Sequence, residues 1–368
     1  MQILCPVNSP EEVAPLVDAG ADEFYCGLFP TEWYEKWGRG SWPNRRGPGP
    51  ANISKIDDLA RLADSVHTAG SGGPNQRRVP LFVALNQQFY PDDQADFLLG
   101  IAQDLQSRSA VDAFIVSDPG FMGLLKTEIP EARVFSSTVS VATNAQAVRF
   151  LADLGCSRVI LSRHLHLAEV ESLQQSVPDV ELEVFLLNDN CYFEEGFCST
   201  THTMPGFGVY CMTPWELRVT RDDQGGQGLS DPEERARWDF LIDEHRRFLG
   251  NLSHRGFGGG RAAVPLGPCG LCAIPKLMDL GIHSGKIVGR EASLYRKIRS
   301  VQSVRYVRDS YRETGDAQEA KKKAVELRAD PRGCSSGMSC YYRSARDRDL
   351  IPLPSRSTKK PTRNATKP

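Results

Sequence analysis

Several things are missing from this 368-residue chain, and each absence removes a class of protein. No apolar run approaches the ~20 residues of a membrane span, so a spanning protein is not expected. The opening, MQILCPVNSP, lacks a charged n-region and an apolar h-region; no secretory signal is expected, and a cytoplasmic location is. Neither sign of charge dominates: 44 Lys and Arg face 46 Asp and Glu, a net charge of −2. With a pI near 6.4, no global field favours nucleic acid or an anionic membrane. No G-x-G-x-x-G follows the first strand, which counts against a dinucleotide-binding sheet. No G-x-S-x-G, no H-E-x-x-H and no local Cys–His signature is present, so the common hydrolase motifs are absent. What the chain does have is cysteine: ten, without an export signal. In a reducing compartment, metal binding or redox chemistry explains ten thiols better than a disulfide framework.

The rest of the composition, 40% hydrophobic and 24% charged, is that of ordinary globular material. One large domain with appendages is expected, since α/β barrels use roughly 200 to 250 residues as a single unit. Short apolar strands alternate with amphipathic helices. Gln2 to Val7 reads as a strand, and Ser9 as the cap of a helix to about Ala19 with Pro10 at its first position. Further strands are expected at Glu23 to Gly27, Val79 to Asn86, Asp112 to Ser117, Arg133 to Thr138, Arg158 to Ser162, Glu181 to Leu187 and His283 to Val288. Helices are expected between them, at Ser54 to Ala69, Pro91 to Ser107, Phe121 to Thr127, Asn144 to Leu154 and Leu167 to Gln175, with a long one from Glu291 to about Arg312. This repetition predicts a (β/α)8 TIM-like barrel, with an open doubly wound sheet as the runner-up. Chemistry is then expected at the C-terminal strand ends, which carry Cys26, Asn86, Asp118, Arg163, Asn188, Asp189 and Arg290. A loop holding Trp33, Tyr34, Trp37 and Trp42 is expected to cover the site as an aromatic lid.

The expected divisions are residues 1–189 for barrel units one to seven, 190–272 for a cysteine-bearing insertion between strands seven and eight, and 273–312 for barrel closure. Residues 313–342 form a C-terminal helix and cysteine loop, and 343–368 a basic, disordered tail. The middle of the insertion is charged and Gly-rich, with one helix near Pro232 to Leu249.

Motifs spread along the chain carry a resemblance. They are the opening MQILCPVNSPEEVAPLVDAGADEFYCG, Ser117-Asp118-Pro119-Gly120, and the strand Arg158-Val159-Ile160-Leu161-Ser162-Arg163. Glu183-Val184-Phe185 follows, then Cys191 and Cys198 at C-x6-C spacing, and Cys211 before Trp215. The last block runs from Cys272 through Ile274-Pro275, Gly281 and Lys286-Ile287 to Gly289-Arg290. Together, over most of residues 1–312, they resemble the collagenase-like peptidase family U-32. That family includes enzymes of oxygen-independent hydroxylation of ubiquinone precursors, and enzymes that hydroxylate nucleotides in transfer and ribosomal RNA. Such members carry a [4Fe-4S] cluster on four cysteines, with prephenate implicated as the oxygen source. The resemblance implies Cys191, Cys198, Cys211 and Cys272 as ligands, with Cys269 as an alternative to Cys272. Departures are visible. Leu187 stands at the family's His position, Ser137 to Val141 lacks the Gln and Asn of its S-x-Q-x-N, and Val288 replaces an acid. These imply a more apolar or differently shaped ligand.

Plainer readings stand beside these. Four thiolates suit a structural zinc as well as a cluster. Cys5 and Cys26 lie in strands and read as core; Cys334 and Cys340 read as free or structural thiols. Asp118 is a pocket candidate that also suits a turn cap. Arg163 and Arg290 are candidates for holding a carboxylate or phosphate, with salt bridging as the alternative. Lys286 faces either the barrel or its helices, and His164 and His166 read as surface residues. The expected function is an iron–sulfur-dependent, oxygen-independent hydroxylase or related tailoring enzyme acting on a small substrate, aromatic ones included. A U-32-type peptidase and a non-catalytic iron–sulfur partner subunit are the alternatives. Expected associations are a small molecule and a partner of the same family or an electron donor; nucleic acid is not favoured, and no membrane is expected.

Overall fold

Eight parallel strands close on themselves. In the computed structural model, which describes residues 1–38, 41–69, 78–188, 196, 220–221, 227–254, 268–337, 339–347 and 350, these are β1 (Gln2–Pro6), β2 (Glu23–Gly27), β3 (Leu81–Leu85), β4 (Ala113–Val116), β5 (Val134–Ser136), β6 (Cys156–Ile160), β7 (Glu181–Leu187) and β8 (Ser284–Ile287). Each pairs with its neighbour in chain order, and β8 returns to β1 with Gln2 opposite Ser284 and Leu4 opposite Lys286. The expected (β/α)8 barrel is the observed fold. Its strands are buried along their length, as parallel strands covered by helices must be.

The covering helices are α1 (Pro10–Ala19), α2 (Thr31–Trp37), α3 (Ile56–Ala69), α4 (Asp92–Ser107), α5 (Pro119–Glu128), α6 (Ala145–Asp153), α7 (Leu167–Ser176), α8 (Pro232–His254), α9 (Ile274–Asp279) and α10 (Leu294–Thr314), followed by α11 (Ala317–Arg328) and α12 (Pro331–Ser336). Local chemistry sets most starts. Asn144, Ser293 and Asp316 each accept a backbone N–H from the first turn that follows. Ser9 occupies the N-cap position of α1, but its hydroxyl makes no cap bond. Gly20 ends that helix at φ 111, a conformation that favours glycine.

Two expectations need correction, and one left open is settled. The aromatic loop is not a lid over the strand ends. Trp33 is fully buried in α2, where Trp37, Tyr90 and Phe97 pack around it, and its indole N–H donates to the Ser41 carbonyl at 3.0 Å. Large rings beside α4 bury more surface there than they would above a polar mouth. The basic tail does not begin in disorder at residue 343: Arg343–Ala345 is a 3-10 turn with Ala345 buried. Residues 351–368 lie outside the described residues. Lys286 faces the barrel interior, where it joins a buried ion network.

That network fills the N-terminal half of the barrel. Arg158 donates to Glu23 through both Nη atoms at 2.9 Å, to Glu181 at 2.9 Å and to Glu183 at 3.2 Å. Lys286 Nζ donates to Glu183 at 3.0 Å, and the Ser284 hydroxyl to Glu23 at 2.9 Å. Rings close the layer: Arg158 lies 4.4 Å from the Phe135 centroid and Lys286 4.3 Å from that of Tyr25. Burial pushes Glu23 up, but hydrogen bonds from His283, Arg158 and Ser284 outweigh it and hold the carboxyl at about 2. Burial wins at Lys286 and lowers its pKa in spite of Glu183.

Candidate functional site

The mouth of the barrel is built from the turns after β2, β3, β5, β6, β7 and β8. Side chains alternate along a strand, so Phe185 shares the inward face of Glu183 and stands above the ion network. Arg163, on the turn after β6, lays its guanidinium 4.2 Å from the Phe185 ring centroid and is buried. Tyr341 reaches the same ring from the C-terminal segment, at 6.0 Å between centroids. A cation, a strand-end ring and a distant tyrosine therefore form one stack.

Arg290, just past β8, is the second buried cation. Its Nη1 donates to the Asn52 side-chain oxygen at 3.1 Å and its Nη2 to that of Asn44 at 2.9 Å. Among the described residues no carboxylate forms a salt bridge with it, although Glu291 pairs with Arg46 at 3.7 Å. Burial lowers Arg290 to about 10, with the nearby Arg46 charge adding to the effect. A buried cation held only by neutral amides is suited to an anion. Gly27 is required beneath it, because a Cβ there would overlap the guanidinium.

Asn86 donates to the Ser137 hydroxyl at 3.0 Å, and the Ser117 hydroxyl to the Asn86 carbonyl at 3.1 Å. The insertion crosses this side at Gly196, whose carbonyl accepts from Gln88 at 2.6 Å. Asp118, a catalytic candidate in the sequence, is instead a structural cap. One oxygen accepts from Gly120 at 2.7 Å and Phe121 at 3.1 Å, and the other from the Tyr90 amide at 2.7 Å. Such occupied lone pairs leave little for proton transfer. His166 stands at the N-cap of α7, where Glu169 accepts its amide at 2.6 Å. Cys5 and Cys26 are core, as expected, and burial pushes Cys26 up to about 12.

Of the expected cluster ligands, Cys191, Cys198 and Cys211 lie outside the described residues, as does Asp189. Cys272 is described, in the turn before α9, and its surroundings were not foreseen. It shares one apolar cavity with Cys269, Cys334 and Cys340, closed by α11 and Tyr342 and bordered by Arg328 and Arg346. The enclosed volume is about 20 Å³. Cys269 sits in an isolated bridge with Cys340 on one side and Leu187 on the other. Its amide donates to the Ser339 carbonyl at 3.0 Å, and its carbonyl accepts from Tyr341 at 3.1 Å. Burial raises the thiols, Cys334 to about 11 and Cys340 to about 12. The signals that could have joined them were the C-x2-C and C-x5-C spacings. Phe185 and Tyr341 carried no comparable mark.

The sequence comparisons agree with the fold. The chain is 28% identical over 221 residues to "tRNA hydroxylation protein P" of Escherichia coli (strain K12), covering 53% of this chain and 48% of that protein. It is 28% identical over 262 residues to "23S rRNA 5-hydroxycytidine C2501 synthase" of the same organism, covering 66% of this chain and 35% of that protein. Against "tRNA hydroxylation protein P2" of Bacillus subtilis (strain 168) it is 22% identical over 321 residues, 87% of this chain and 90% of that protein. It spans about half the length of the first of these relatives. The family model described as Peptidase family U32 matches residues 8–349, and the chain belongs to that family.

Proposed function

We propose that this chain is a hydroxylase-type enzyme acting on an RNA base, docked through its phosphates at the barrel mouth. The observation that carries the reading is Arg290, a buried guanidinium with amide partners and no carboxylate salt bridge among the described residues. A phosphate suits its planar fork, and Arg163, packed on Phe185 at the turn after β6, adds a further cation to the mouth. The relatives' names point the same way, to tRNA and 23S rRNA. They move the reading from the small substrate favoured by the sequence to a base carried on RNA. The net charge of −2 leaves binding to local groups such as these.

On this reading the mouth residues bind and orient. Arg290 fixes a phosphate against the turn after β2, while Arg163, held by its ring, presents a second cation. The buried strand-end rings keep water from the base. The redox group implied by family resemblance, a [4Fe-4S] cluster, remains a proposal for Cys191, Cys198 and Cys211. Cys272 lines a cavity with Cys269, Cys334 and Cys340 instead, while the other three expected ligands lie outside the described residues.

The test is nucleoside mass spectrometry of tRNA and rRNA from cells with and without the gene. A hydroxylated pyrimidine is expected to disappear on deletion, return with the wild-type chain, and return incompletely with Arg290→Gln. An unchanged set of hydroxylated nucleosides in the deletion strain would sink the reading.

A further inference from the structure

We propose that Cys269, Cys272, Cys334 and Cys340 form a tetrathiolate site for a single thiophilic divalent ion of the zinc class, tying the C-terminal segment to the barrel mouth. The ligands come from two stretches far apart in sequence, and the fold brings them to one cavity. The first pair has C-x2-C spacing, common in structural zinc sites, and the second has C-x5-C. The backbone has already set one ligand of each pair side by side, since Cys269 and Cys340 are bridge partners.

Two further features mark the cavity. A backbone hydrogen bond runs from Leu271 to Cys269 and another from Tyr342 to Cys340. Each donor is two residues beyond its cysteine, so both pairs repeat one local geometry. Arg328 and Arg346 border the cavity, where they offset the net negative charge of a divalent ion with four thiolates. Arg346 is fixed there by the carbonyls of Cys334 at 2.7 Å and Ser335 at 2.9 Å.

Size selects the ion. A cavity of about 20 Å³ accepts one ion or one water, and an apolar lining disfavours water. In the metal-free chain the thiols are separate, and among the described residues no three Cys, His, Asp or Glu side chains stand at metal-holding geometry. Binding therefore draws the two pairs together and tightens the segment between Cys334 and Cys340. Tyr341, next to Cys340, already lies 6.0 Å from the Phe185 ring, so an ion at Cys340 fixes that contact in place. The site commits Cys272 to the C-terminal segment, away from the thiols of the insertion.

The test is zinc and cobalt titration of the full chain, purified anaerobically with its thiols reduced. The expected result is one ion per chain, with cobalt giving the thiolate charge-transfer and visible bands of a tetrahedral site. Both are lost in Cys334→Ser/Cys340→Ser and kept in Cys191→Ser/Cys198→Ser. Should the first variant not fold, Cys340→His preserves a ligand and is expected to shift the visible cobalt band. No cobalt band, or a band lost only in the Cys191/Cys198 variant, overturns the proposal. So does iron with sulfide on these four thiols, or a Cys269–Cys340 disulfide in the native chain.

Discussion

Val141 is held at φ 55 and ψ 51, closing the 3-10 turn after β5. A β-branched residue is strained in that region, while asparagine tolerates it. The U32 resemblance implies asparagine at this position, a residue that suits this backbone better than valine. Val141→Asn is expected to stabilise by about 1 kcal/mol and raise Tm by about 2 °C in a thermal melt. An unchanged or lower Tm would show that the Val141 side chain, which packs against Gly196, outweighs the strain. Arg158 has the opposite character. It is the common partner of Glu23, Glu181 and Glu183, and Arg158→Met strands buried carboxylates at a cost of about 3–5 kcal/mol, read as a lower urea midpoint at neutral pH. The native Glu23 pKa of about 2 lies below its ordinary 4.5. Its contribution, on the order of 3 kcal/mol, is therefore present above pH ~4.5 and lost as pH falls towards 2. In Arg158→Met burial instead raises Glu23, so the deficit at pH 7 is expected to shrink as pH is lowered through 5. Urea midpoints for both chains across that range check the sign; a deficit that grows on acidification contradicts this account.

At the scale of elements, the segment after α2 works through asparagines rather than tryptophans. Asn44 also donates to Asn52 at 2.9 Å and to the Leu28 carbonyl at 2.8 Å, so the segment is latched to β2 and presents two oxygens to Arg290. Gly27→Ala forces the guanidinium aside and breaks that latch. It is expected to cost about 1–3 kcal/mol in chemical denaturation and to lower RNA affinity more than Tm alone explains. Strand and helix positions were legible in the sequence because each rests on local pattern: apolar runs for β2 and β7, helical spacing for α3, a cap at Asn144. Closure followed from the count of βα units. The site was less legible, because its parts meet only after folding. Arg163 and Arg290 were marked as candidates from their places at strand ends, but Phe185, the ring that Arg163 meets, carried no such mark. Asp118 stood as both pocket candidate and turn cap, because the two roles leave the same residue at the same turn, and the structure shows the cap. Cys269, Cys334 and Cys340 were noticed singly; nothing local says that a bridge aligns two of them.

At the scale of the whole molecule, the chain after α11 completes the barrel rather than trailing from it. Tyr342 donates its hydroxyl to the Phe185 carbonyl at 3.2 Å and packs on Gly270, while Tyr341 faces the Phe185 ring. Both are buried, and the Cys269–Ser339 and Tyr341–Cys269 backbone bonds join the segment to the chain before α9. Losing a buried aromatic contact costs about 3 kcal/mol or more, so two of them exceed what a solvated tail contributes. Removal of residues 329–368 is therefore expected to lower Tm by roughly 5 °C or more, and to weaken RNA binding through loss of Tyr341. Removal of 351–368 alone, which leaves Tyr341 and Tyr342 in place, is expected to lower Tm by less. Thermal melts and RNA-binding isotherms on the two truncations separate these roles. Equal Tm values would mean that the barrel closes without its C-terminal segment; a lower Tm with unchanged RNA binding would confine Tyr341 to packing.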